Sequence, residues 1–170
     1  GRGQARLPKG WGGKGDLTGA GLYLQEWRAE HLEQAPELFQ IESELLIRER
    51  YYSSAQDLLT QGLGAFPGDI NLLYARSLAS EKMGDIAAVE RDLRAILDRD
   101  SNNAAALNAL GYSLANHSTR YEEAQSLIER ALALQPNDAS IIDSLGWVLY
   151  RRGQHAEALA QLRRAAALLT

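Results

Sequence analysis

Apolar residues near the end of the chain recur at three- and four-residue spacing, in stripes about one helix long. Ile142, Leu145 and Leu149 form one stripe, and Ala158, Leu162 and Ala165 form the next. This spacing puts each set on one face of an α-helix. Between them lies Arg152-Gly153-Gln154, where Gly153 suits the positive-φ turn that ends a helix. The same pattern occurs one unit earlier. Leu107-Asn-Ala-Leu-Gly-Tyr112 and Ile142-Asp-Ser-Leu-Gly-Trp147 both run apolar-x-x-Leu-Gly-aromatic, with their glycines 35 residues apart. Each is followed by Ala-x-x-x-apolar-x-x-Ala, through Ala124, Ile128 and Ala131 in one and Ala158, Leu162 and Ala165 in the other.

Stepping back by 34 residues gives two weaker copies. One contains Leu73, Gly84, Ile86, Val89, Leu93 and Ile96, and the other Phe39, Tyr52, Ala55, Leu59, Gly62 and Pro67. The register is therefore 36–69, 70–103, 104–138 and 139–170, with one extra residue within Asn116–Arg120. Each unit is predicted to be two antiparallel helices. Gly111 and Gly146 fall inside first helices, where glycine costs about 1 kcal/mol against alanine. Close helix–helix approach explains them, and the alanines at 124, 131, 158 and 165 are small for the same reason. Asn102-Asn103 and Asn137-Asp138 lie between units and suit the caps of the next first helices.

The period, the Leu-Gly pair, the Ala-x-x-x-apolar run and the closing prolines resemble the tetratricopeptide repeat family over residues 36–170, about four-fifths of the chain. The match is plain in units three and four and degenerate in unit two, where Arg76-Ser77 replaces Leu-Gly. The resemblance implies an all-α fold of about four units, a right-handed superhelix of antiparallel helix pairs. First helices would line a concave groove, and the array would act as a non-catalytic, protein-binding scaffold. More narrowly, Asn108–Ala115, Arg120–Ala124 and Ile142–Arg151 are similar to the terminal repeats of proteobacterial repeat-containing lipoproteins on the periplasmic side of the outer membrane. That group includes adaptors for a carboxyl-terminal-processing protease. The implied role is an envelope adaptor that recruits a processing protease or its substrates, from a chain that here lacks the signal and lipid-bearing cysteine. A cytoplasmic assembly or secretion chaperone is the alternative within the binding class.

The family's groove positions fall here on Tyr74 and Leu78 in unit two, Asn108 and Tyr112 in unit three, and Asp143, Trp147, Tyr150 and Arg151 in unit four. The resemblance thus implies a partner-binding strip of Tyr74, Leu78, Asn108, Tyr112, Asp143, Trp147 and Arg151. Tyrosine and tryptophan give large contact area at low rotamer cost, and asparagine can pair with an extended peptide backbone. The alternative is that Tyr112 and Trp147 fill space between first helices. The family's carboxylate clamp needs Lys and Asn at positions that here hold Gln40 and Glu44, Tyr74 and Leu78, Asn108 and Tyr112, and Asp143 and Trp147. Recognition of a C-terminal carboxylate in that manner is not implied.

The two ends differ from the array. Residues 1–21 hold eight glycines, four positive charges and one negative, with no apolar periodicity. They read as a tag, a linker or an extended peptide docked in a neighbour's groove. Residues 22–35 suggest a short helix, with Tyr23, Leu24, Trp27 and Leu32 inward, ended at Pro36. At the other end Leu159, Leu162, Ala166 and Leu169 widen the apolar arc of the last helix. Repeat arrays normally close with a polar cap. Either the chain continues past Thr170 or this face pairs with another chain, which makes a homodimer through the last helix the competing functional reading.

Composition narrows the chemistry. Apolar residues make up 45% and charged residues 24% of the 170 residues, as in ordinary globular domains. Residues 22–100 carry eight positive and fifteen negative charges, the wrong sign for a nucleic-acid face. No apolar run is long enough to span a membrane. The absence of cysteine excludes thiolate metal sites and a cysteine nucleophile. Gly12-Gly13-Lys14-Gly15 lacks the first glycine and the Ser or Thr of a phosphate loop, and Asp98–Asn102 lacks the glycine and glutamate of a calcium loop. His31, His117 and His155 have no ligand spacing. No catalytic residue, metal or cofactor is expected. Glu122-Glu123 suits a helix start, and Arg151-Arg152 and Arg163-Arg164 read as solvated faces, with an anion-binding rim as the alternative.

Overall fold

The computed structural model describes residues 17–170. Among them the regular structure is helical throughout, with no strand. The helices are α1 (Leu17–Glu30), α2 (Ala35–Arg48), α3 (Tyr52–Ala65), α4 (Ile70–Met83), α5 (Ile86–Arg99), α6 (Ala104–His117), α7 (Tyr121–Leu134), α8 (Ala139–Arg151) and α9 (His155–Leu168). They fall into two compact units, one ending at Asp85 and one comprising Ile86–Thr170. In the first unit α2 packs on α1 and α3, and α4 on α3 and α2. In the second, α6 packs on α5 and α7, α8 on α7 and α6, and α9 on α8.

The chain turns where its residues provide local hydrogen bonds or unusual backbone angles. Asp69, Asn103 and Asp138 each accept the backbone N–H three residues on, at 3.0, 2.9 and 3.1 Å, and so cap α4, α6 and α8. Gly84 and Gly153 close α4 and α8 with φ of 75° and 80°. Arg50, at the equivalent point after α2, adopts φ 66° with a side chain present. An L-residue pays about 1–2 kcal/mol for that conformation.

Gly111 and Gly146 sit at close helix–helix contacts in the second unit. A β-carbon on Gly111 would lie 2.6 Å from Ile128 Cγ1 and 2.8 Å from the Ala124 carbonyl oxygen. One on Gly146 would lie 2.8 Å from a Leu162 methyl. Around these contacts Leu107, Leu110, Leu114, Ile128 and Ile142 are fully buried.

The start of the chain differs from expectation. Residues 1–16 of the glycine-rich 1–21 segment lie outside the described residues, and the last five belong to α1. Gly19 and Gly21 obscure the pattern, yet Ala20 and Leu24 are buried at helical spacing. A β-carbon on Gly21 would meet the Glu42 carboxylate at 3.0 Å. The single helix expected over 22–35 is interrupted. α1 stops at Glu30, one 3-10 turn spans Leu32–Gln34, and Pro36 sits in the first turn of α2. Proline starts α2 because its missing N–H would be unpaired there anyway. Leu32, expected inward, is 71% exposed on the 3-10 turn.

A candidate protein-binding cleft in the second unit

First helices α6 and α8 carry the second unit's candidate residues. Tyr112 on α6 is 40% exposed. One unit on, Trp147 on α8 is half-buried and stacks on Tyr150, with centroids 5.7 Å apart and planes 22° apart. Tyr112, Asp143 and Trp147 meet Gly146, Tyr150 and Leu162 around one cleft of about 240 Å³. The missing side chain of Gly146 lets Leu162 approach and form the floor. Asp143 lies beyond the first turn of α8, is exposed, and has no hydrogen-bond or ion-pair partner among the described residues.

Two polar atoms on these helices are shielded from water without a partner: the indole N–H of Trp147 and the side-chain carbonyl of Asn108. Asn108 lies one turn before Tyr112 on α6. A buried donor or acceptor left unpaired costs about 1–3 kcal/mol.

The other candidates are placed differently. Arg151 stands 5.8 Å from the Trp147 ring and 5.7 Å from the Tyr121 ring, and donates to the Tyr121 hydroxyl at 3.1 Å. Tyr74 and Leu78 lie on α4 in the first unit; Tyr74 is half-buried and Leu78 exposed. On α9 Leu159, Leu162 and Ala166 are exposed, and so is Leu169, which caps the helix, at 78%. Leu162, singled out in the sequence for self-association, also lines the aromatic cleft.

The arginines read as solvated faces are exposed, and three of them also make hydrogen bonds. Arg152 donates to Gln125 at 2.8 Å, and Arg164 donates to the Pro136 carbonyl at 2.7 Å. Arg130 reaches the Ser101 carbonyl at 3.3 Å. Each guanidinium spans about one repeat, a reach set by a long side chain with several fixed donors. Glu90, Arg94, Arg120 and Glu123 form a surface network, with Arg94 to Glu123 and Arg120 to Glu123 both at 2.7 Å. Hydrogen bonds from Arg120 and Arg94 hold the Glu90 carboxyl below its ordinary value. Hydrogen bonds from Arg94 and Arg120 do the same for Glu123. The sequence marks Glu123 only as a helix-start acid; its arginine partners come from three-dimensional proximity.

A larger cleft of about 610 Å³ lies in the first unit, between α1, α2 and α3. Its wall holds the nearly buried Arg28–Glu42 pair, whose guanidinium also lies 4.2 Å from the Phe39 ring centroid. Burial raises the Glu42 carboxyl above its ordinary value, and Arg28 opposes that rise. These charges satisfy each other, and none of the groove residues singled out in the sequence lines this cleft. Among the described residues no cluster could hold a metal ion, and no helix is long and apolar enough to cross a membrane.

No protein-family model matches the chain. It is 44% identical over 151 residues to the TPR repeat-containing protein PA4667 of Pseudomonas aeruginosa, covering 89% of this chain and 26% of that protein. The chain therefore spans about a quarter of that relative's length. Among solved structures it resembles MamA from Desulfovibrio magneticus RS-1, with a TM-score of 0.75 at 21% identity, covering 91% of this chain and 86% of that one. It also resembles a tetratricopeptide repeat protein from Parabacteroides merdae, with a TM-score of 0.78 at 16% identity, covering 92% and 61%. These structural likenesses establish the fold class, an α-solenoid of antiparallel helix pairs. The repeated Leu-Gly-aromatic tracts and the likeness to these proteins support reading the helix pairs of this chain as tetratricopeptide repeats.

Proposed function

We propose that this chain is a protein-binding scaffold whose second unit takes an extended segment of a partner in the Tyr112–Asp143–Trp147 cleft. The observation that carries this reading is the open cleft on which the exposed Tyr112 and the half-buried Trp147 converge. Aromatic anchors in partly desolvated pockets are the usual centres of binding energy. A peptide-display selection on the whole chain tests it. Enriched peptides should lose at least about tenfold in affinity on Tyr112→Ala or Trp147→Ala, with helicity unchanged by circular dichroism. Peptides that bind both variants as well as the parent would refute this site.

The finer role we propose is that of an adaptor in the bacterial envelope, peripheral to the outer membrane within a lipoprotein, that brings a processing protease or its substrates to the groove. It rests on the similarity of Asn108–Ala115 and Ile142–Arg151 to that group's terminal repeats. Membrane fractionation of cells making the full-length parent protein tests it, and recovery in the cytoplasm would favour the chaperone alternative.

A second reading has its own support. Leu159, Leu162, Leu168 and Leu169 leave the last helix with a broad exposed apolar face. Exposed apolar surface of this kind marks interfaces. Light-scattering mass at several concentrations decides it: a dimer that Leu159→Glu makes monomeric supports self-assembly, and a concentration-independent single-chain mass excludes it.

A further inference from the structure

We propose that the cleft formed by Tyr112, Asp143, Trp147 and Tyr150 selects a basic side chain, arginine or lysine, as the anchor of the bound segment. This rests on the groove reading above and specifies the chemistry of its occupant. Three walls of the cleft are aromatic, and Leu162 supplies aliphatic surface. Asp143 is its only ionisable acid. Aromatic faces attract cations, and the long stems of lysine and arginine cover apolar surface while keeping the charge at the rim. A neutral apolar anchor would use the aromatic walls but leave the carboxylate uncompensated.

Asp143 differs in role from three other acids of the second unit. Glu90 and Glu123 are held by Arg94 and Arg120, and Asp138 caps α8. Asp143 has no partner among the described residues and lies beyond the first turn of its helix, so neither an ion pair nor capping explains it. The equivalent positions in earlier units hold Gln40, Tyr74 and Asn108, none of them charged. Arg151, the cation at the Trp147 ring, is turned to the Tyr121 hydroxyl and does not pair with Asp143.

The test uses the whole chain and three probes: the N-acetyl methylamides of arginine, citrulline and norleucine. Citrulline keeps the shape of arginine without its charge, and norleucine keeps only the stem. Binding is followed through the indole N–H resonance of Trp147. The arginine probe is expected to move that signal with a dissociation constant of about millimolar order, and the other two about tenfold more weakly. Asp143→Asn should bring arginine down to the level of citrulline. Equal binding of arginine and citrulline, no shift with arginine, or an undiminished preference in Asp143→Asn would each overturn the proposal. The display selection separates this failure from that of the groove. Enriched peptides that lack Arg and Lys yet lose affinity on Tyr112→Ala would leave the groove standing and sink the basic anchor.

Discussion

In the α6–α7 pair Ile128 is fully buried, and a β-carbon on Gly111 would stand 2.8 Å from a main-chain oxygen. In the α8–α9 pair its counterpart Leu162 is 40% exposed, and Gly146 faces one methyl and the Cγ of that leucine. The two pairs share one sequence pattern, but among the described residues only the first has a following helix, α8, packed on both its members. The same apolar position therefore serves as core in one pair and as cleft wall in the other.

The sharpest test of this comparison removes the matched side chains. Ile128→Ala should cost about 3–4 kcal/mol and Leu162→Ala only about 1, because a half-exposed side chain loses less transfer energy and leaves no sealed cavity. Urea unfolding measures both, and equal losses would mean that Leu162 is covered in solution. The glycines come next. Gly111→Ala meets backbone, which cannot rotate away, and should cost about 2–3 kcal/mol. Gly146→Ala meets the tip of Leu162, which can move toward the cleft, and should cost about 1 kcal/mol. Equal penalties would show that α9 is held as rigidly as α7.

A smaller effect compares the turns. Arg50 holds the left-handed conformation that Gly84 and Gly153 adopt freely. Arg50→Gly should stabilise by roughly 0.5–1 kcal/mol, since relief of the backbone conformation is partly offset by the greater freedom of glycine when unfolded. A lower melting temperature for the variant would contradict this.

The smallest effect concerns the surface network. The folded-state pKa values of Glu90 and Glu123 lie below their unfolded ones. Their contribution is therefore complete above the ordinary glutamate value of about 4.3 and is lost as pH falls through the lowered values. Melting temperature should fall more steeply with acid in the parent than in Glu90→Gln/Glu123→Gln. Parallel profiles would show that solvent screens the network away.

Much of the fold class was legible because helix pairs leave a strong periodic trace. The glycines at 111 and 146 and the alanines opposite them announced close packing, and Asn103, Asp138 and Gly153 marked helix boundaries through chemistry that acts within a few residues. The start of α1 was hidden by Gly19 and Gly21, whose low helix propensity obscured the spacing of Ala20 and Leu24. Of the candidate cleft, the aromatic positions could be named from the repeat register. The union of Tyr112, Asp143, Trp147, Tyr150 and Leu162 around one opening could not, since it depends on how α6, α8 and α9 stack. The long arginine contacts were equally hidden, because a flexible side chain can reach partners some 30 residues away, as Arg151 reaches Tyr121.

The sequence by itself determined the helix pairs, their period and the small residues that let them touch, because these follow from spacing and volume along the chain. Only the tertiary structure decided which apolar positions stay open, which carboxylates are left unpaired and which arginines bridge repeats. Those outcomes depend on what lies across from each side chain, and that is a property of packing rather than of sequence order.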